Sequence, residues 1–184
     1  MNPKTFVVIG LVLALMGLNS LQLLADSAKE IDEEATAALN QLYAKNAEIK
    51  KLGQKSKGIL IFPEVKKAGL VVGGQGGEGV LRKGGKNAGY YKTAAGSIGL
   101  QAGVQEFSLV MFFVDDESVK YLETSDGWEI GSGPSVVMGD EGFGKTMTSS
   151  TVKKGIMAFI FGQKGLMAGI GIQGSKISKI NPDK

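Results

Sequence analysis

The chain has 184 residues, enough for one domain with a short appendage, and its 43% hydrophobic and 21% charged residues suit a chain that folds around a core. Cysteine and histidine are both absent, which excludes disulfides, thiol nucleophiles, thiolate metal sites and the usual near-neutral general base. A formal net charge of +3 does not imply a nucleic-acid partner, and any chemistry must come from carboxylates, lysines and hydroxyls.

Lys4 precedes an apolar run, TFVVIGLVLALMGL, from Thr5 to Leu18; LLA then ends at Ala25 before the charged DSAKE. Residues 1–25 read as a signal peptide cut after Ala25, which would export the domain to the periplasm or beyond. The alternative is an uncleaved anchor over Phe6 to Leu24, since a bilayer span needs ~20 apolar residues. The sequence has no Cys at the cut to carry a lipid.

Ser27 to Leu52 is predicted helical, with Ile31, Ala35, Ala38, Leu42, Ile49 and Leu52 recurring at helical spacing as a core face. Asp26 or Ser27 would cap its start and Gly53 would stop it. Lys50, Lys51, Lys55, Lys57, Lys66 and Lys67 fall within 18 residues that contain one acid, Glu64; Arg82, Lys83 and Lys86 form a second cluster. One reading is a solvated helix end and loop, the lysines suiting the helix C-terminal dipole. The other is a surface for anionic phosphate or lipid headgroups.

From Lys57 the pattern changes to short runs of Ile, Val and Phe broken by glycine. Strands are predicted near 58–62, 68–74, 78–82, 89–92, 96–103, 107–114, 128–138, 147–152, 156–162 and 166–172. A short helix is expected over Glu117 to Thr124, after the capping acids of VDDE. The 28 glycines, roughly twice the usual ~7% share, sit inside apolar β-branched segments and follow no collagen period. The fold expected is α+β: a glycine-rich, mainly antiparallel sheet or partly closed barrel, with an amphipathic helix over 26–56 and β-rich chain over 57–184.

Two stretches imitate nucleotide sites. GDEGFGKT, Gly139 to Thr146, satisfies G-x-x-x-x-G-K-[ST], but MTSSTVKKG follows where a long helix must begin. Too little chain follows for the βα units of a nucleotide-binding domain. GQGGEG, Gly74 to Gly79, satisfies G-x-G-x-x-G, but a strand and a Gly-Gly turn follow it, and positions 89–105 hold no acid for a ribose. Its glycines are expected in a hairpin, permitting positive φ and close strand approach. Neither supports a nucleotide, and no metal or cofactor is expected. Asp115, Asp116 and Glu117 read as a helix cap, and Trp128, Tyr90 and Tyr91 as core anchors.

KGILIFPEVKKAGLVVGGQGGEGVL, Lys57 to Leu81, resembles the opening signature of the SYLF domain family. The resemblance continues through AGYYKTAAGSIGLQAGVQEFSLVMFF and GWEIGSGPSVVMGDEG to KGLMAGIGIQGSKIS. Tyr91 stands where the family commonly has Trp, and the lipid-attachment Cys of many bacterial members is missing. The resemblance implies a non-enzymatic lipid-binding module, of a kind in which several members bind phosphoinositides and eukaryotic ones regulate cortical actin. It offers no catalytic residue, and Gly58, Gly69, Gly73, Gly74, Gly79, Gly99 and Gly103 are expected to be structural. Lys50, Lys51, Lys55, Lys57, Lys66, Lys67, Arg82 and Lys83 are the candidate contacts for anionic membrane lipid. An envelope protein is the alternative partner; an exported protein is poorly placed to meet actin.

Overall fold

The computed structural model describes residues 27–69, 72–98, 103–139, 155–165, 172 and 174–183. The expected signal peptide, the strand at 147–152, most of 166–172, Gly99 and all of GDEGFGKT after Gly139 lie outside them.

The N-terminal helix is present, divided in two: α1 spans Ala28–Lys45 and α2 spans Ala47–Lys55. Ser27 caps α1, its Oγ accepting from the Glu30 N–H at 3.3 Å. A continuous helix to Leu52 was the expectation; Asn46 breaks it by taking extended backbone, φ −151° and ψ 112°. Its Oδ1 accepts from the Glu48 and Ile49 N–H groups, so the break is also a cap, satisfying donors that a helix start leaves orphaned. Gly53 does not stop α2 but lies inside it, because a Cβ there would collide with the Tyr43 ring and meet Phe112.

The strands are β1 (Gly58–Gly69), β2 (Val72–Lys83), β3 (Lys86–Ile98), β4 (Gly103–Phe113), β5 (Trp128–Glu129), β6 (Val136–Gly139), β7 (Ile156–Gly165) and β8 (Lys176–Ile180). Helix α3, Asp116–Thr124, separates β4 from β5 as expected, capped by Asp115. Among the described residues, eight strands form one sheet in the order β5-β8-β3-β2-β1-β4-β7-β6, curled into a half-barrel. All its pairs are antiparallel except β6 with β7.

The curl follows from chain length. β5 and β6 lie on opposite edges, yet only seven residue steps join Glu129 to Val136. Seven steps reach at most ~25 Å, whereas seven inter-strand gaps in a flat sheet span ~34 Å. The expected strand 128–138 therefore resolves into two short edge strands. Expected strands 58–62 and 68–74 are likewise redrawn, as one long β1 and the start of β2. β1 passes Pro63 through a bulge, its register shifting between Phe62 and Val65. Proline has no N–H to give a ladder, which suits it to such a place. β8 had no counterpart in the predicted strands.

Each face of the sheet carries its own core. On one, α1 and α2 lay Ile31, Ala35, Leu42 and Ile49 against Ile61, Val80, Val110, Phe112 and Phe159. On the other, Leu60, Phe62, Leu81, Tyr91, Phe107 and Met111 pack under Val119, Leu122, Trp128, Ile130 and Ile172. β1 and β4 alternate between these two sets, which explains their almost unbroken hydrophobic runs.

Candidate functional site

α2 is amphipathic over nine residues. Ile49 and Gly53 face the sheet and are buried, so the 3.6-residue period turns Lys50, Lys51 and Lys55 to solvent. Lys51 Nζ lies 2.7 Å from Glu48 Oε1, and Lys57, just past the helix, lies 3.7 Å from Asp116. Among the described residues, Lys50 and Lys55 make no ion pair.

The lysines that crowd together in sequence do not share one surface. β1 carries the chain away from Lys57, and nine residues of strand put Lys66 ~30 Å from it. Lys66 is exposed and pairs with Glu64. Lys67 faces the other way and is only 7% exposed, set between Gln75 of β2 and Gln105 of β4 on its neighbouring strands. Gln75 donates to Ser175 Oγ at 2.9 Å there.

Arg82 and Lys83 have structural attachments. Arg82 Nη2 donates to the Asp32 carbonyl at 2.9 Å and to Thr36 Oγ1 at 2.7 Å, tying β2 to α1. The Tyr90 hydroxyl donates to Asp32 Oδ2 at 2.8 Å and strengthens that tie. Burial, then the hydrogen bond to Asp32 and its charge, raise the Tyr90 phenol above its ordinary pKa. Lys83 Nζ meets both oxygens of Glu123 on α3, at 2.8 and 3.1 Å. The exposed basic surface near Lys57 is therefore chiefly α2.

The GQGGEG motif lies in β2, an arm of the β1–β2 hairpin as expected, but none of its glycines has a positive φ. The β1 bulge crosses directly over it: a Cβ on Gly77 would strike the Glu64 carbonyl, and one on Gly79 the Ile61 carbonyl and the Phe62 ring. Close backbone approach is what these residues serve. A Cβ on Gly69 would meet Gly73 Cα at 2.7 Å, and one on Gly58 would meet Val119 at 3.1 Å. Gly74 has ordinary room, 3.5 Å from the Ala95 carbonyl, and Gly103 has φ 147°.

Among the described residues, clefts of about 320 and 360 Å³ open on the surface. The first is flanked by Glu34, Gln41, Glu64, Glu106 and Lys164, but Lys66 and Lys164 already pair with two of its carboxylates. The second lies at the start of α3, where Asp115 accepts from the Ser118 and Gly155 N–H groups at 2.7 and 2.6 Å. Asp115 is thus committed to a cap and a strand start. Among the described residues no group of carboxylates has the arrangement of a metal site. None of the described helices is long and apolar enough to cross a membrane.

These features define the class: an α+β half-barrel with a glycine-rich strand under a bulge, α1 and α2 on one face and α3 on the other. A family model described as Ysc84, Las17-binding protein actin regulator, matches residues 94–182, from the second half of β3 through β8. This is the SYLF domain family, and the matched stretch, just under half of the chain, is similar to it. The match begins after α2, β1 and GQGGEG, for which the likeness rests on the sequence motifs. No curated protein matches the chain.

Proposed function

We propose that the protein is a non-enzymatic, exported SYLF-domain protein that binds membranes through anionic lipid headgroups. The observation that carries this is the solvent face of α2, where Lys50 and Lys55 are uncompensated among the described residues beside Lys51 and Lys57. A lysine near an anionic bilayer contributes ~1 kcal/mol, so three or four suffice for reversible association. Export rests on the N-terminal sequence, and for that reason the actin regulation in the family description is not carried over.

Co-sedimentation with phosphatidylserine-containing vesicles tests the proposal. Exchange of Lys50, Lys51 and Lys55 to Ser is expected to weaken binding by roughly two orders of magnitude, three lysines' worth. These side chains are exposed, so unfolding stability should change by no more than ~0.5 kcal/mol each. Unchanged binding would remove α2 from the account.

A second reading, a protein-interaction module of the envelope, is favoured by β6. It is an edge strand whose Val137 and Met138 are exposed, the kind of edge that recruits another strand. Self-association without lipid, lost on Val137→Lys, would establish it.

A further inference from the structure

On the sheet face opposite α1 and α2, the strand registers stack three unlike rungs. Phe107, Val65, Thr93 and Ile177 belong to the first, across β4, β1, β3 and β8, with Gly77 of β2 beside Val65 and Thr93. The second is Gln105–Lys67–Gln75–Ala95, and the third is Gly103–Gly69–Gly73–Ser97. Residues directly opposite on antiparallel strands share a face, so both glutamines stand beside the Lys67 stem. Lys67 carries the one charge among these residues.

The middle rung is polar and yet buried. Gln105 is only 5% exposed, less than Lys67, and among the described residues its Oε1 has no hydrogen-bond partner. Gln75 Nε2 donates to Ser175 Oγ, which brings a fully buried hydroxyl to the same patch. Burying an ammonium is costly, and so is burying an acceptor that no donor reaches. An orphaned buried group of this kind calls for an explanation, and a bound group that supplies the missing donor is one. The glycine rung sets no side chain on β4, β1 or β2 over this patch, and a Cβ on Gly103 would meet nothing within 4 Å. Gly69, Gly73 and Gly103 are themselves half-buried, so the way in is from the strand ends.

We infer that this patch is a binding site for a small oxyanion that carries its own O–H, with hydrogen phosphate or a phosphate monoester as the simplest case. The Lys67 ammonium donates to the oxyanion, and the ligand's O–H donates to Gln105 Oε1. Both halves of the recognition are needed, because a bare anion answers the lysine and leaves the amide oxygen unpaired. A phosphate monoester keeps its second proton only below pH ~6, but inorganic phosphate still holds an O–H at neutral pH, and sulfate does not. The patch lies on the face opposite α2 and ~30 Å along β1 from Lys57, so the inference does not depend on the membrane surface proposed for α2.

Isothermal titration of the full chain, purified without phosphate, tests the site. Inorganic phosphate should bind at neutral pH, and sulfate about tenfold more weakly, since sulfate offers Gln105 no donor. In Gln105→Leu the affinity for phosphate should fall to the sulfate level. The ligand-free melting temperature of that variant should hold or rise, because an unpaired buried acceptor has been removed. Lys67→Met should lose both anions. Lysophosphatidic acid, kept below its micelle-forming concentration, distinguishes the sources: a response well above that of phosphate assigns a lipid headgroup, and an equal one assigns a free phosphate. Failure of both phosphate and lysophosphatidic acid to bind overturns the inference, as does binding that survives Gln105→Leu or Lys67→Met unchanged. A ligand-free Gln105→Leu that melts well below the wild type also overturns it, for the amide then serves the fold alone.

Discussion

Gly79 and Gly96 have similar extended backbones on adjacent strands, yet only one has room for a methyl group. Gly79→Ala drives a Cβ into the Ile61 carbonyl and should cost about 1–3 kcal/mol in denaturant unfolding. Gly96→Ala meets nothing within 4 Å and should be neutral or slightly stabilising, since it narrows the unfolded ensemble. Tyr90 makes a second prediction. Its native pKa is raised, by burial first and then by Asp32, so the native state favours the neutral phenol. The resulting stabilisation is complete below the ordinary value of about 10 and is lost as pH rises through the higher native value. Wild type should therefore be more stable than Tyr90→Phe near neutrality, and the gap should close above pH ~10. At this scale the sequence is partly legible: Tyr91 and Trp128 are buried anchors, as their setting in strand patterns suggested. The reason for Gly77 and Gly79 was not, because a clash with a β1 carbonyl depends on a bulge that no local pattern announces.

The helix break and the α3 cap show how single polar residues set the elements. Asn46→Ala removes acceptors for two N–H groups and should cost ~1 kcal/mol, lowering the melting temperature while leaving the sheet intact. Asp115→Asn keeps the size and one acceptor but loses the charge at the α3 N-terminus and turns an NH2 toward the Ser118 or the Gly155 N–H; a loss of about 1–2 kcal/mol is expected, partly screened by salt. Periodicity made the helical stripe over Ser27–Leu52 legible, but not its division, since Asn46 reads as an ordinary surface residue until its cap geometry is seen. The buried stretches of β1, β4 and β7 were legible from hydrophobic runs because they meet a core on each face. β8, KISKI, was not: it carries one buried residue, Ile177, between lysines, too little pattern to distinguish from a tail.

Across the whole molecule, folding sorts a sequence cluster of basic residues by location. Lys67 goes inside, Arg82 and Lys83 fasten helices, and Lys50, Lys51, Lys55 and Lys57 remain on the solvent side. Strand register does the converse, lining up Lys164, Glu106, Lys66, Lys176 and Glu129, residues up to 110 positions apart, in one row across the sheet. The family likeness was legible from several spaced motifs acting together, whereas the apparent phosphate loop was one short pattern followed by a sequence poor in helix formers. The central claim is that charge brings this protein to a membrane, and the most direct measurement is partition of the full chain onto vesicles as salt is raised. Binding should require phosphatidylserine and fall steeply between low and physiological ionic strength, as the Debye length shrinks from ~30 Å at 0.01 M to ~8 Å. Equal, salt-insensitive recovery on phosphatidylcholine vesicles would contradict it.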